Sequence, residues 1–164
     1  MGVLAAALLC VSTAVQAQKF GYINSAEILA GMPKVKQMQS NLESFGKQLQ
    51  KKGQQMVAEY QTKEQEAIQK EERGELSPMQ KQTLLQELQT KQQEILQYEQ
   101  EMQQKIAQKE QELLEPILEE VNNAIKAVAS ENKYTYIFDA GSGAILYADE
   151  STNVSSLVKA KLGI

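Results

Sequence analysis

The residues of this chain that could do chemistry are few, and most of them lie near the C-terminus. Gly141-Ser142-Gly143 is similar to a phosphate-binding loop, and Asp139 could pair its carboxylate with that of Asp149 or Glu150. A phosphate loop would be followed by a helix and a Lys-Ser/Thr pair, which the sequence does not offer, so a turn between two strands is the better interpretation. An Asp beside turn glycines usually serves the turn itself. We therefore expect no catalytic residues and no enzyme.

The N-terminus has the composition of a secretory signal peptide. Residues 3–15 are almost wholly apolar, and Val15-Gln16-Ala17 has the small-residue pattern that signal peptidase accepts. The run is too short for a membrane-spanning helix, which needs about 20 residues. The sequence therefore predicts a signal peptide over residues 1–17, cleavage near Ala17, and export.

Removal of that segment would leave a chain with a narrow chemical inventory. Cys10 is the only cysteine, and the chain has no His and no Trp. Disulfides, thiol and imidazole chemistry and most zinc sites are thereby excluded, so we expect no metal and no cofactor. The net charge of −4 argues against non-specific binding to nucleic acid or to acidic membranes.

The middle of the chain has the pattern of two long helices with one break between them. Residues 33–130 are rich in Gln, Glu, Lys and Leu, and the break falls at residues 74–78. Gly74 suits the left-handed position that ends a helix, while Ser77, Pro78 and Gln80 match an N-cap, a first helical position and a capping box. Helices joined by so short a turn must fold back on each other. The sequence predicts an antiparallel helical hairpin, roughly 60 Å long at 1.5 Å per residue, with its tip at 74–78.

The predicted seam between the two helices is apolar but interrupted. Its apolar members are Val35, Met38, Leu42, Phe45, Leu49 and Met56 on the first helix, and Leu84, Leu88, Ile95, Met102, Ile106 and Leu113 on the second. Polar side chains at intervening positions are Lys52, Lys63, Gln92, Glu99 and Lys109. Polar groups in a coiled-coil seam weaken its packing, so we expect a compliant arm.

Both ends of the chain have the composition of a small β body. Residues 19–23 and 134–139 favour strands, and residues 144–147 are predicted to form a further strand that pairs with 134–139 as a β-hairpin. A short helix to Ala30 and a closing helix over 153–162 complete this part. Pro33 and Pro116 lie at nearly equal distances from the tip and mark the base of the arm, where Pro116 should kink its helix. So small a body, with open sheet edges, predicts a homo-oligomer.

These elements resemble the Skp/OmpH family of periplasmic chaperones over residues 18–164. The resemblance is carried by the strand Gly-Tyr-Ile-Asn at 21–24, the helical hairpin, Tyr-Ile-Phe-Asp-Ala at 136–140 and Ile-Leu-Tyr-Ala-Asp at 145–149. No single motif is specific, and the order of the elements identifies the family.

The resemblance implies an α+β, mostly α fold in which a long coiled-coil tentacle is inserted in a small β body, and a homotrimeric, jellyfish-like assembly. Residues 18–33 and 116–164 would form the β-rich trimerisation body, and residues 34–115 the tentacle. The family's function is to hold unfolded outer-membrane β-barrel proteins in the periplasm, without ATP, in a cavity between the arms. The residues placed in the trimer body by position are Phe20, Tyr22, Ile23, Tyr136, Phe138, Ile145 and Tyr147.

Four side chains of the arm are candidates for client binding: Met56, Tyr60, Met79 and Tyr98. Flexible methionine side chains suit surfaces that accept many partners, whereas Met38 and Met102 are better explained as seam filling. The best-known family members have basic tentacles, but residues 60–90 here hold more acidic than basic side chains. Contact between the tips and a membrane surface therefore stays open.

Two other functions fit parts of the pattern. A structural coiled-coil scaffold or spacer of the cell envelope is the main alternative, although a scaffold would favour a better filled seam. A prefoldin-like subunit has a similar hairpin on a β body, but the export signal argues against it.

Overall fold

The computed structural model describes residues 18–164, so the predicted signal peptide lies outside the described residues. The elements are β1 (Phe20–Ile23), α1 (Ser25–Gly31), α2 (Pro33–Glu72), α3 (Pro78–Asn132), β2 (Tyr136–Asp139) and α4 (Ser155–Leu162), with short 3-10 turns at Ala140–Ser142 and Glu150–Thr152. Within this part of the chain, no helix combines the length and the apolar character needed to cross a membrane.

The predicted helical hairpin and its tip are confirmed. Gly74 adopts a φ of +68°, the left-handed conformation that ends α2. At the start of α3, Ser77 Oγ accepts a hydrogen bond from Gln80 N at 3.3 Å, and Gln80 Oε1 accepts one from Ser77 N at 2.8 Å. This capping box provides acceptors for two backbone N–H groups that have no hydrogen-bond partner within the helix. The helix continues through Pro116, so the proline does not end it.

A compact apolar core lies at the base of the hairpin. It is formed by residues of β1, α1, α4 and the C-terminal part of α3. Its most deeply buried members are Ile28, Val154 and Val158. The whole cluster consists of Ile23, Ile28, Met32, Ile117, Val121, Ala124, Val128, Val154 and Val158. Since the arm itself has almost no buried side chains, this core anchors a long and thin projection.

The sheet has two parallel strands, and the predicted β-hairpin at 144–147 is wrong. Strand β1 pairs with β2 in the register Phe20 with Tyr136. After β2, Asp139 Oδ1 accepts hydrogen bonds from Ser25 N at 3.1 Å and Gly141 N at 2.9 Å. These bonds turn the chain away from the sheet, so residues 144–147 do not return to pair with β2.

Candidate functional site

One side of the hairpin carries two apolar grooves between α2 and α3. The mid-arm groove, of about 340 Å³, is lined by residues between 50 and 61 and between 95 and 102. The tip groove, of about 260 Å³, is lined by residues between 64 and 71 and between 76 and 88. Steps of three and four residues place both grooves on the same side of each helix. We call this side the groove face; its members are Gln50, Gln54, Val57, Gln61, Glu64, Ile68 and Glu71 of α2, and Lys81, Leu85, Leu88, Ile95, Glu99 and Met102 of α3.

The rims of the grooves expose large apolar side chains to water. Leu85 is 62% exposed and Ile68 is 51% exposed, and they stand on opposite helices of the tip groove. Leu84 and Leu88 are half-buried in the same groove. Single exposed apolar residues are common on proteins, but a contiguous groove of them indicates a binding surface.

The opposite side of the hairpin is polar and ionic. We call it the ionic face; its members are Glu59, Lys63 and Glu66 of α2, and Glu87, Lys91 and Glu94 of α3. Lys63 pairs with Glu87 across the two helices, and Lys91 Nζ lies 3.7 Å from the Glu59 carboxylate. Such partly exposed ion pairs contribute at most about 1 kcal/mol each. The hairpin therefore has one apolar side and one charged side, and its distal half is held together weakly.

The structure places three of the predicted client-binding residues on accessible parts of the arm. Met56 lines the mid-arm groove, and Met79 stands 76% exposed beside the tip. Tyr60 is half-buried, and its hydroxyl donates to Glu64 Oε1 at 3.1 Å, a bond that raises the pKa of the tyrosine. These three side chains can therefore meet a partner, although they do not form one patch.

The fourth candidate, Tyr98, packs inside the hairpin instead. Its side chain is only 6% exposed, its hydroxyl donates to the Leu49 carbonyl at 3.0 Å, and its ring lies against Gly53. The ammonium groups of Lys52 and Lys105 lie 5.2 and 5.8 Å from the ring centroid. Tyr98 thus joins the two helices and lines the floor of the mid-arm groove, where only a small part of its ring is accessible to a client.

The same contact corrects the predicted seam. Gly53 and Tyr98 meet where Lys52 and Glu99 were expected, and both of those charged side chains are exposed. Lys91 is half-buried where Gln92 was expected. A large ring opposite a glycine fills the gap between two helices that a pair of medium-sized side chains would fill elsewhere.

Sequence reasoning missed Val57, Ile68 and Leu85, the exposed apolar residues of the groove face. Each lies close to a seam position but is not itself part of the predicted seam, so the heptad pattern did not single it out. The signal that could have found them was the set of apolar residues Val57, Ile68 and Leu85, of which Val57 and Leu85 each directly follow an apolar seam residue in the sequence.

The body exposes a second apolar surface. The rings of Phe20, Tyr136 and Phe138 stand on the outer side of the sheet, with centroids 5.8 to 6.3 Å apart, and all three are exposed. We call these three rings the aromatic face. Leu146 and Tyr147 are also exposed.

Three other residues of the predicted trimer body are less exposed than these rings. Tyr22 and Ile145 are half-buried, and Ile23 is buried in the core of its own chain. Ile23 can therefore support the body but cannot reach another subunit.

The carboxylates near the C-terminus serve the backbone around them. Burial alone would raise the pKa of Asp139, but hydrogen bonds from Ser25 and Gly141 outweigh it and hold the pKa below its usual value. Asp149 accepts bonds from the Ser151 amide and hydroxyl, which lower its pKa. Within residues 18–164 there is no group of three or more Asp, Glu, His or Cys side chains placed to hold a metal ion.

Comparison with known proteins places the chain in a family. The model of the outer membrane protein (OmpH-like) family matches residues 19–162. The structure is similar to that of a proposed OmpH-like outer membrane chaperone from Caulobacter crescentus CB15, with a TM-score of 0.76 and 16% identity over 89% of this chain and 84% of that one. At that identity, the likeness shows the fold. A comparison with curated proteins found no match. Because the family match spans nearly the whole described chain, the protein belongs to the OmpH-like family.

Proposed function

We propose that the protein is an ATP-independent holdase chaperone of the periplasm, which binds unfolded outer-membrane β-barrel proteins and prevents their aggregation. The observation that carries the proposal is the groove face, where the arm exposes the large apolar side chains of Leu85 and Ile68 at the tip groove. Unfolded β-barrel precursors expose alternating apolar side chains and unpaired strand edges, which is the chemistry such grooves can cover.

The aromatic face supports assembly into a homotrimer through the body. Phe20, Tyr136 and Phe138 offer a stacked apolar surface beside a sheet of only two strands. Association of subunits would remove these rings from water and cover the open strand edges. We place the trimerisation body at residues 18–33 and 116–164 and the tentacle at 34–115, so that three arms would enclose a cavity.

Weak contacts at many points suit this function. Each groove is shallow and takes only a few side chains, so a single contact would release quickly. Three arms that act on one chain raise the effective concentration of the remaining contacts, and the client stays held without any nucleotide. Met56, Tyr60 and Met79 would add adaptable contacts along the arm.

A structural scaffold or spacer of the cell envelope is the second candidate. A scaffold would be favoured by a fully apolar seam, whereas half-buried Lys63 and Lys109 interrupt this one. The exposed groove would also have no task in a spacer. The observations therefore favour the chaperone.

The test is dilution of a urea-unfolded outer-membrane β-barrel protein into buffer with or without residues 18–164. We expect the chain to suppress light scattering at a stoichiometric ratio in the absence of nucleotide. Undiminished scattering at that ratio would contradict the proposal. Mass spectrometry of the exported protein checks the compartment, because cleavage after Ala17 predicts a mature chain that begins at Gln18.

A further inference from the structure

We propose that the groove face selects its client segments by charge: it takes extended apolar segments that also carry Lys or Arg, and it disfavours acidic ones. This inference rests on the proposed holdase function and names the class of segment that the arm binds.

The charged side chains that line the two grooves are predominantly acidic. They are Glu64, Glu71, Lys81 and Glu99. Lys81 Nζ lies 2.9 Å from Glu71 Oε1, so these two neutralise each other. Glu64 and Glu99 form no ion pair within residues 18–164. Each apolar groove therefore lies beside one carboxylate that forms no ion pair within residues 18–164.

An ammonium or guanidinium group of a bound segment can occupy that position. An exposed carboxylate attracts a cation modestly in water, and more strongly when an apolar segment covers the groove and excludes solvent. A Glu or Asp of the client at the same place would instead meet a like charge beside an apolar surface, which is unfavourable.

The length of the groove face matches one extended segment. From Gln50 to Glu71 the helix rises roughly 30 Å at 1.5 Å per residue. An extended chain covers the same distance with about ten residues, the length of one β-barrel strand. In such a strand every second side chain points the same way, so the apolar series can enter the groove while the polar series reaches its edges.

The experiment uses three dye-labelled peptides of about ten residues, which share alternating apolar positions and carry Lys, Ser or Glu between them. Their binding to residues 18–164 is measured by fluorescence anisotropy at low salt. We expect the Lys peptide to bind about tenfold more tightly than the Glu peptide, with the Ser peptide between them, because two carboxylates contribute about threefold each. The preference should shrink as salt rises.

Charge variants show which carboxylates cause the difference in affinity between the Lys and Glu peptides. Combining Glu64→Gln with Glu99→Gln should bring the Lys and Glu peptides close to equal affinity. Glu94→Gln is the matched control, since Glu94 lies on α3 but on the ionic face. It should leave the preference unchanged. Circular dichroism checks that each variant keeps its helices.

Variants at apolar positions test whether the peptides bind in the tip groove. Leu85→Ser should weaken all three peptides severalfold, because it removes an exposed rim of the tip groove. Leu118→Ser is its control, since that leucine is also exposed on α3 but lies at the base of the arm, outside both grooves.

Equal binding of the Lys and Glu peptides, or an effect of Glu94→Gln as large as that of the double variant, would overturn the inference. So would loss of self-association in Leu85→Ser without any peptide, since the groove would then hold a second copy. If the chain still protects an outer-membrane protein from aggregation, only the charge selection has failed. If it protects no client, the holdase proposal itself has failed.

Discussion

Tyr98→Ala is predicted to be the most damaging single substitution in the arm. Tyr98 is the one residue of the hairpin between 34 and 115 that is buried, and its ring faces Gly53, which has no side chain to fill a void. Truncation of a buried aromatic residue costs about 3–5 kcal/mol when the surroundings cannot collapse. The arm is thin and can relax in part, so we expect about 3 kcal/mol.

Tyr98→Phe separates the ring from the hydroxyl. It keeps the packing against Gly53 and loses only the hydrogen bond to the Leu49 carbonyl, which contributes about 1 kcal/mol. Urea unfolding followed by circular dichroism measures both variants. Tyr60→Ala is the matched control, because Tyr60 is another arm tyrosine but only half-buried. A Tyr98→Ala variant whose stability lies within about 0.5 kcal/mol of the parent chain, or that loses no more stability than Tyr60→Ala, would contradict this structural role of Tyr98.

Four further predictions follow from the same structure. Asp139→Asn should cost about 1–2 kcal/mol at pH 7, since hydrogen bonds hold the folded-state pKa below its usual value; the difference should shrink once pH falls below the usual pKa of an Asp and be lost below the lowered folded-state pKa, followed by urea unfolding in steps from pH 7 downward. Gly46→Ala should stabilise the arm by about 0.5–1 kcal/mol in thermal unfolding, because nothing lies within 4 Å of the added methyl group. Gly74→Ala should cost about 1 kcal/mol in the same assay, because φ there is +68°. Phe138→Ser should weaken self-association in sedimentation experiments while the helical signal stays intact; unchanged association would argue against the aromatic face as the contact surface.

The parts of the fold that the sequence could predict are those set by neighbours in the chain. Gly74, Ser77 and Gln80 set the backbone and hydrogen bonds of residues no more than one helical turn away. The structure confirms both the tip and the capping box. The heptad spacing likewise predicted two packed helices, because it depends only on helical periodicity.

The errors came from contacts between distant residues. Residues 144–147 have the composition of a strand, but the bond from Ser25 to Asp139, more than a hundred residues apart, redirects the chain before it can pair. Tyr98 was not predicted as part of the seam, because its partner Gly53 offers no side chain to recognise in a heptad pattern. The trimer remains a prediction, which the aromatic face supports.

The mass of the client complex in analytical ultracentrifugation is the sharpest test of a trimeric holdase. Residues 18–164 are mixed with an unfolded outer-membrane β-barrel protein, without nucleotide, and the molar mass of the sedimenting species is determined. We expect a complex of three chains with one client, and a trimer when the client is left out. A monomer that sediments apart from the client would contradict both the shared body and the cavity between the arms.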